Sequence, residues 1–211
     1  MSVLSKSEFF QMIKNMADVI IENEVPFCEL DAVAGDGDFG MSIAKGFKVL
    51  LKEWETLNQE SIGDFLADCS AVISEHCGGA SGPIWGAGFK GASKATTGMQ
   101  SLDPSEFTAM MESAAELIQK RGKANRGDKT LLDALFPCID ALNAHKSEES
   151  SFKTFLLFGA MAAGEGAEET KKMVASRGRA SYVGERSLEF PDAGAMALSV
   201  IFLTVSNQVS V

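Results

Sequence analysis

Histidine is scarce in this chain, and basic residues are outnumbered by acidic ones. The two histidines, His76 and His145, sit in settings that suggest no catalytic duty, so a reaction built on this chain's own histidine is not expected. Nineteen basic against 29 acidic residues leave a formal charge of −10, which argues against nucleic acid or an anionic membrane as a partner. The four cysteines, Cys28, Cys69, Cys77 and Cys138, are scattered through apolar contexts without a C-x-x-C pair. They read as small buried hydrophobes of a reducing compartment, not as disulfides or a zinc site. No apolar run approaches membrane-spanning length, and no charged and apolar leader opens the chain, so a cytoplasmic protein is expected. Convincing strand alternation is absent too. What remains is 211 residues, 45% hydrophobic and 23% charged, enough for one domain over 1–211 with an ample core.

That core is predicted to be helical. Phe9, Phe10, Ile13, Met16, Ala17, Ile20 and Ile21 recur at helical spacing, giving a first helix over about 6–30 that Pro26 kinks or ends. Ile43 to Trp54 mark a second helix, and Ile62 to Cys77 a third that stops at Gly78-Gly79. Pro83 restarts a helix at its first position. From Ile84 to about Thr97 that helix is rich in glycine and alanine, as for one packed very closely on a neighbour or a ligand. Asp103-Pro104-Ser105-Glu106 combines an N-cap, a proline at N1 and an acid at N3, a strong start signal. Further helices are expected around Leu132–Leu142, over 152–176, and after Pro191-Asp192-Ala193-Gly194. The fold class is all-α, with about eight helices.

The chemistry concentrates in the stretch Asp31-Ala32-Val33-Ala34-Gly35-Asp36-Gly37-Asp38-Phe39-Gly40. Aspartate and glycine both disfavour a helix interior, so this run reads as a turn between helices. Three like charges gathered in one turn cost free energy unless a cation neutralises them. Mg²⁺ suits such a site, because it takes one or two carboxylates and leaves its other positions to phosphate oxygens. The bland alternative is a solvated acidic turn. Gly35 to Gly40 also fits G-x-G-x-x-G, but helix precedes it and anions interrupt it, which excludes a dinucleotide fingerprint. The Glu of an EF-hand loop is missing as well.

Three other loops stand out. Gly78-Gly79-Ala80-Ser81-Gly82-Pro83 lets a ligand approach backbone N–H groups, or is simply a tight interhelical turn. Lys120, Arg121, Lys123, Arg126 and Lys129 either complement a helix C-terminus or meet phosphates or ribose. Arg177 to Ser187 is polar and long, in the manner of a functional lid.

Taken in order, Asp31…Gly35-Asp36-Gly37-Asp38-x-Gly40, Gly78-Gly79-Ala80-Ser81-Gly82-Pro83, Arg121-Gly122-Lys123…Gly127-Asp128-Lys129-Thr130 and Gly178-Arg179-Ala180-Ser181-Tyr182-x-Gly184-Glu185-Arg186-Ser187 resemble the nucleotide-binding L subunit of dihydroxyacetone kinase over nearly the whole chain. The resemblance implies an antiparallel barrel of amphipathic helices, with ADP or ATP bound across one end through two Mg²⁺ ions. It implies Asp31, Asp36 and Asp38 as Mg²⁺ ligands, and Arg179 beside them in the catalytic set. It further implies nucleotide contacts at Phe39, Gly40, Ser42, Ala80, Ser81, Gly122, Leu131, Arg179, Asp192 and Gly194. Relatives often carry His or Cys at position 39, Asn at 42, and Asp-Pro-Gly in place of Pro191-Asp192-Ala193-Gly194. A phenylalanine side chain cannot hydrogen-bond phosphate, so contact at Phe39 is expected from its backbone N–H, and a histidine there would be expected to tighten binding.

The same resemblance implies two partners. One is a substrate-binding kinase subunit that holds the keto sugar through its own histidine, and the other is a phosphohistidine carrier that rephosphorylates bound ADP. Homodimerisation is left open. Alternatives are a subunit exchanging ATP freely to phosphorylate another short ketose, and a nucleotide-loaded module that binds a transcription factor. The fatty-acid kinases are a further relation, but the Gly-Gly-Ala-Ser-Gly and Arg-Ala-Ser-Tyr loops favour the sugar kinase.

Overall fold

The computed structural model describes residues 3–210. Helix α1 (Lys6–Glu22) starts at a capping box: the Ser5 hydroxyl accepts from the Glu8 amide while Glu8 accepts from that of Ser5. It ends at Asn23, whose Nδ2 donates to the Val19 carbonyl at 2.8 Å, and α2 (Glu24–Ala32) follows at once. The single helix expected over 6–30 is therefore two, and the break lies at Asn23 rather than at Pro26. Pro26 falls in the first turn of α2, where its missing N–H has no intrahelical acceptor to lose.

The remaining helices are α3 (Phe39–Lys52), α4 (Ile62–His76), α5 (Ser81–Ala95), α6 (Pro104–Gly122), α7 (Leu132–His145), α8 (Phe152–Glu169) and α9 (Ala193–Gln208). The start signal of α6 is realised in full, with Asp103 and Glu106 exchanging backbone amides at 2.8 Å each. Helix α5 begins at Ser81, so Pro83 sits within its first turn instead of opening it. Helix α8 stops at Glu169, short of 176, and gives way to a 3₁₀ turn over Thr170–Lys172.

Eight of these helices close a ring, each packed on the next: α1, α3, α4, α5, α6, α7, α8, α9 and back to α1. Helix α2 lies across α3 at one end of the ring and also touches α9. At the opposite end, Lys6 Nζ donates to the Gln59 and Glu60 carbonyls, Lys153 Nζ donates to that of Asn207, and Leu4–Ser5 pairs antiparallel with Ser101–Leu102. Those two-residue strands are the only ones among the described residues. Ring neighbours thus run antiparallel, and successive connections alternate between the two ends. The core is rich in phenylalanine (Phe9, Phe47, Phe65, Phe107, Phe155), with an apolar cavity of about 150 Å³ inside the ring. The glycines of α5 serve neighbours: a Cβ on Gly91 would lie 2.2 Å from the Ser113 carbonyl oxygen of α6, and one on Gly86 would meet Ser74 of α4.

Candidate functional site

Four connections meet at the end of the ring that bears α2: residues 33–38, 77–80, 123–131 and 170–192. Between them opens a cleft of about 230 Å³. One wall is the acidic turn. One carboxylate oxygen each from Asp31, Asp36 and Asp38 lies within 4.8 Å of the others. Asp31, at the C-terminus of α2, accepts from the Gly37 amide at 2.8 Å. Burial pushes its carboxyl up, and the neighbouring charge of Asp36 adds to that rise, whereas the amides of Gly37, Phe39 and Asp38 pull it down. Gly35 makes the turn possible, because a Cβ there would stand 2.2 Å from Asp31 Oδ1. Gly37 takes a positive φ of 74°.

This donor set fits a hard divalent cation: all oxygen, convergent, and exposed on one side. A cation of the chain itself already leans on it. Arg179 Nη1 lies 2.8 Å from Asp36 Oδ2.

The facing wall is the N-terminus of α5. Ala80 occupies its N-cap without any side-chain hydrogen bond, and Gly79, at φ 52°, has open space where a side chain would project. Gly78, Gly79, Ala80 and Ser81 line the same cleft as the three aspartates, and a helix N-terminus there favours an anion. Ser42 of α3 braces this turn, as its carbonyl accepts from the Gly78 amide at 3.0 Å. The floor is apolar, made by Leu30, Phe39, Ile84, Trp85 and Leu131. Across it, Asp192 caps α9 by accepting from the Ala195 amide at 2.8 Å. Its carboxyl is pushed up to about 6, chiefly by burial and then by the charge of Asp133, against the pull of the Ala195 amide and of Lys129.

Of the residues expected at the site, Asp31, Asp36, Asp38, Phe39, Ser42, Ala80, Ser81, Leu131, Arg179, Asp192 and Gly194 line this one cleft. Gly40 and Gly122 lie behind it. Gly40 is buried where α3 crosses α2, and a Cβ would come 2.0 Å from the Glu24 carbonyl oxygen. Gly122 ends α6 behind Ile84, with 3.1 Å between its would-be Cβ and Ile84 Cδ1. The Phe39 N–H is directed at Asp31, and the ring is half-buried, 6.2 Å between centroids from Phe27. The basic run divides. Arg126 pairs with Asp140 at 2.9 Å on the surface, over the Phe136 ring, whereas Lys129 is 2% exposed. The stretch Arg177–Ser187 is not an open loop: Arg179–Ser187 winds in 3₁₀ turns interrupted at Gly184.

A family model described as the DAK2 domain matches residues 33–207. The chain belongs to that family. Among DAK2-domain relatives, the ADP-binding subunit DhaL of the PEP-dependent dihydroxyacetone kinase of Escherichia coli K12 is 32% identical over 200 residues. That match covers 95% of this chain and 94% of the relative. The ADP-binding subunit DhaL of the PTS-dependent kinase of Lactococcus lactis is 32% identical over 191 residues, covering 90% and 91%. The fold also superposes on the dihydroxyacetone kinase of C. freundii, solved with AMP-PNP and Mg²⁺, with a TM-score of 0.73 at 21% identity. The overlap takes in 95% of this chain but 33% of that one, so the DAK2 barrel here is about a third of the larger kinase.

Proposed function

We propose that this chain is the ADP- and Mg²⁺-binding subunit of a dihydroxyacetone kinase, which passes a phosphoryl group to a short ketose held by a partner subunit. The observation that carries this reading is the convergence of Asp31, Asp36 and Asp38 in a cleft that the N-terminus of α5 also lines. Phosphoryl transfer asks a protein mainly for positioning and neutralisation of charge. Bound by the three aspartates, Mg²⁺ would supply Lewis-acid stabilisation of the phosphates.

The chain's own groups do the rest. The amides around Gly79 and Ala80 and the Ser81 hydroxyl receive phosphate oxygens. Arg179, held beside Asp36 in the same cleft, would place its guanidinium next to the phosphates. The apolar floor from Leu30 to Leu131 accepts the base and excludes water beneath it. Asp31, Asp36 and Asp38 would together hold the two Mg²⁺ ions of this reading.

High-coverage likeness to PEP- and PTS-dependent subunits supports the branch in which ADP stays bound and a phosphohistidine carrier recharges it. Among the described residues, no helix is long and apolar enough to cross a membrane. Native mass spectrometry of the purified chain tests the proposal. Retained ADP with Mg²⁺ is expected, and calorimetry should show Mg²⁺-dependent ADP binding to stripped protein. A chain that neither retains nor binds ADP would refute it.

A further inference from the structure

Lys129 belongs to the basic run that the sequence assigns either to a helix C-terminus or to phosphates or ribose, and its surroundings show a third use. It takes a left-handed backbone conformation, φ 60°, which a residue with a Cβ rarely adopts. That conformation turns the side chain inward, and Lys129 is 2% exposed. Its Nζ donates to three main-chain carbonyls: Met173 at 3.1 Å, Phe190 at 2.8 Å, and Ser187. An ammonium has three donors and no acceptor, so none is left for a phosphate. The three carbonyls lie at the beginning and the end of one segment, the lid that carries Arg177 and Arg179.

The turn around Lys129 grips the same segment a second time. The Asp128 carbonyl accepts from the Ser176 amide at 3.2 Å, and its carboxylate accepts from the Ser176 hydroxyl at 2.6 Å. The turn in turn is fixed to α7, where the Asp133 carboxylate accepts from the Gly127 amide at 2.5 Å and the Thr130 amide at 2.9 Å.

Resting on the functional reading above, we infer that Lys129 is a positioning residue: its ammonium ties both ends of the lid so that Arg179 reaches the Asp36 side of the cleft. A rigid base is what the excursion from Met173 to Ser187 needs if the Arg179 guanidinium is to be held 2.8 Å from one carboxylate oxygen. Lys129 itself touches neither metal nor nucleotide in this role.

Two arms test this. In the first, nucleotide-free Lys129→Met is compared with the unmodified chain by limited trypsin digestion, with cleavage after Arg177, Arg179 and Arg186 identified by mass. Lid cleavage should accelerate about tenfold or more while the circular dichroism spectrum is kept. In the second, calorimetry with ADP and Mg²⁺ follows Lys129→Met, Arg179→Ala and the double variant. Lys129→Met should weaken ADP binding about tenfold to a hundredfold. In the Arg179→Ala background the same change should cost little, because the clamp acts through Arg179.

Unchanged lid cleavage overturns the inference, and so does an equal loss of affinity in both backgrounds. If Lys129→Met does not fold, Lys129→Ala is read with and without propylammonium, which replaces the deleted atoms. Restored lid protection supports the clamp, and none refutes it. Should the unmodified chain fail to bind ADP, the functional reading falls, while the digestion arm still decides whether Lys129 holds the lid.

Discussion

Replacing Gly35 by alanine should damage the metal site and spare the fold. The added Cβ would lie 2.2 Å from Asp31 Oδ1, 2.7 Å from its Cγ and 2.9 Å from its carbonyl oxygen. Ordinary contact begins near 3.4 Å, so the carboxylate must retreat by 3.4 − 2.2, about 1.2 Å. That distance is decisive within a cluster only 4.8 Å across. Displacing one of three ligands by about 1 Å costs roughly tenfold to a hundredfold in affinity, or about 1.4–2.7 kcal/mol. Gly35 is not among the residues of positive φ, so the strain on alanine is steric, from the carboxylate and from the Asp31 carbonyl oxygen at 2.9 Å.

The expected signature is therefore a split: the helical spectrum kept with a modestly lower melting temperature without ligand, and much weaker Mg²⁺-dependent ADP binding by calorimetry. Gly79→Ala is the matching control. It has open space for its methyl group but a φ of 52°, so it should lower stability by about 1 kcal/mol without disturbing the aspartates. Native ADP affinity in Gly35→Ala would show that Asp31 holds no metal.

Asp36→Asn should abolish ADP retention with the helical spectrum intact, since it removes a ligand and also the partner of Arg179; native affinity by titration would contradict the assignment. Phe39→His should lower the melting temperature without tightening ADP binding, because the ring packs toward Phe27 and the neighbouring N–H already serves Asp31; tighter binding would restore the expectation read from the sequence. Asp192 titrates near 6 in the fold against about 3.9 unfolded. Between those values the folded state holds a proton that the unfolded state lacks, so this group's contribution to stability falls as pH rises from about 4 through 6. Asp192→Asn keeps the N-cap and should flatten that slope in denaturant titrations across the window; an unaltered slope would place the titration elsewhere.

Local chemistry was legible wherever partners are close in sequence. Asp103 and Glu106 announce a helix start because each serves the other's backbone three residues away. The convergence of Asp31, Asp36 and Asp38 is announced because all three fall within eight consecutive positions. Long-range partnerships were not legible. Lys129 reaches carbonyls 44 to 61 residues further along, and no side-chain pattern marks a carbonyl as an acceptor. Gly35 and Gly40 look equivalent in the motif, yet one yields to a carboxylate and the other to a crossing helix. Nor does periodicity reveal the break at Asn23, since both sides of it are helical and apolar.

Because ring neighbours alternate in direction and α9 packs on α1, the barrel has no topological beginning. The segments 53–61, 96–103 and 146–151, like the start of α1 and the end of α9, belong to the face away from the cleft. A cut at 146–151 would leave every segment around the cleft with its two flanking helices. The same geometry gives a fusion partner one permissive face. A second domain can be attached there while the mouth of the cleft stays open.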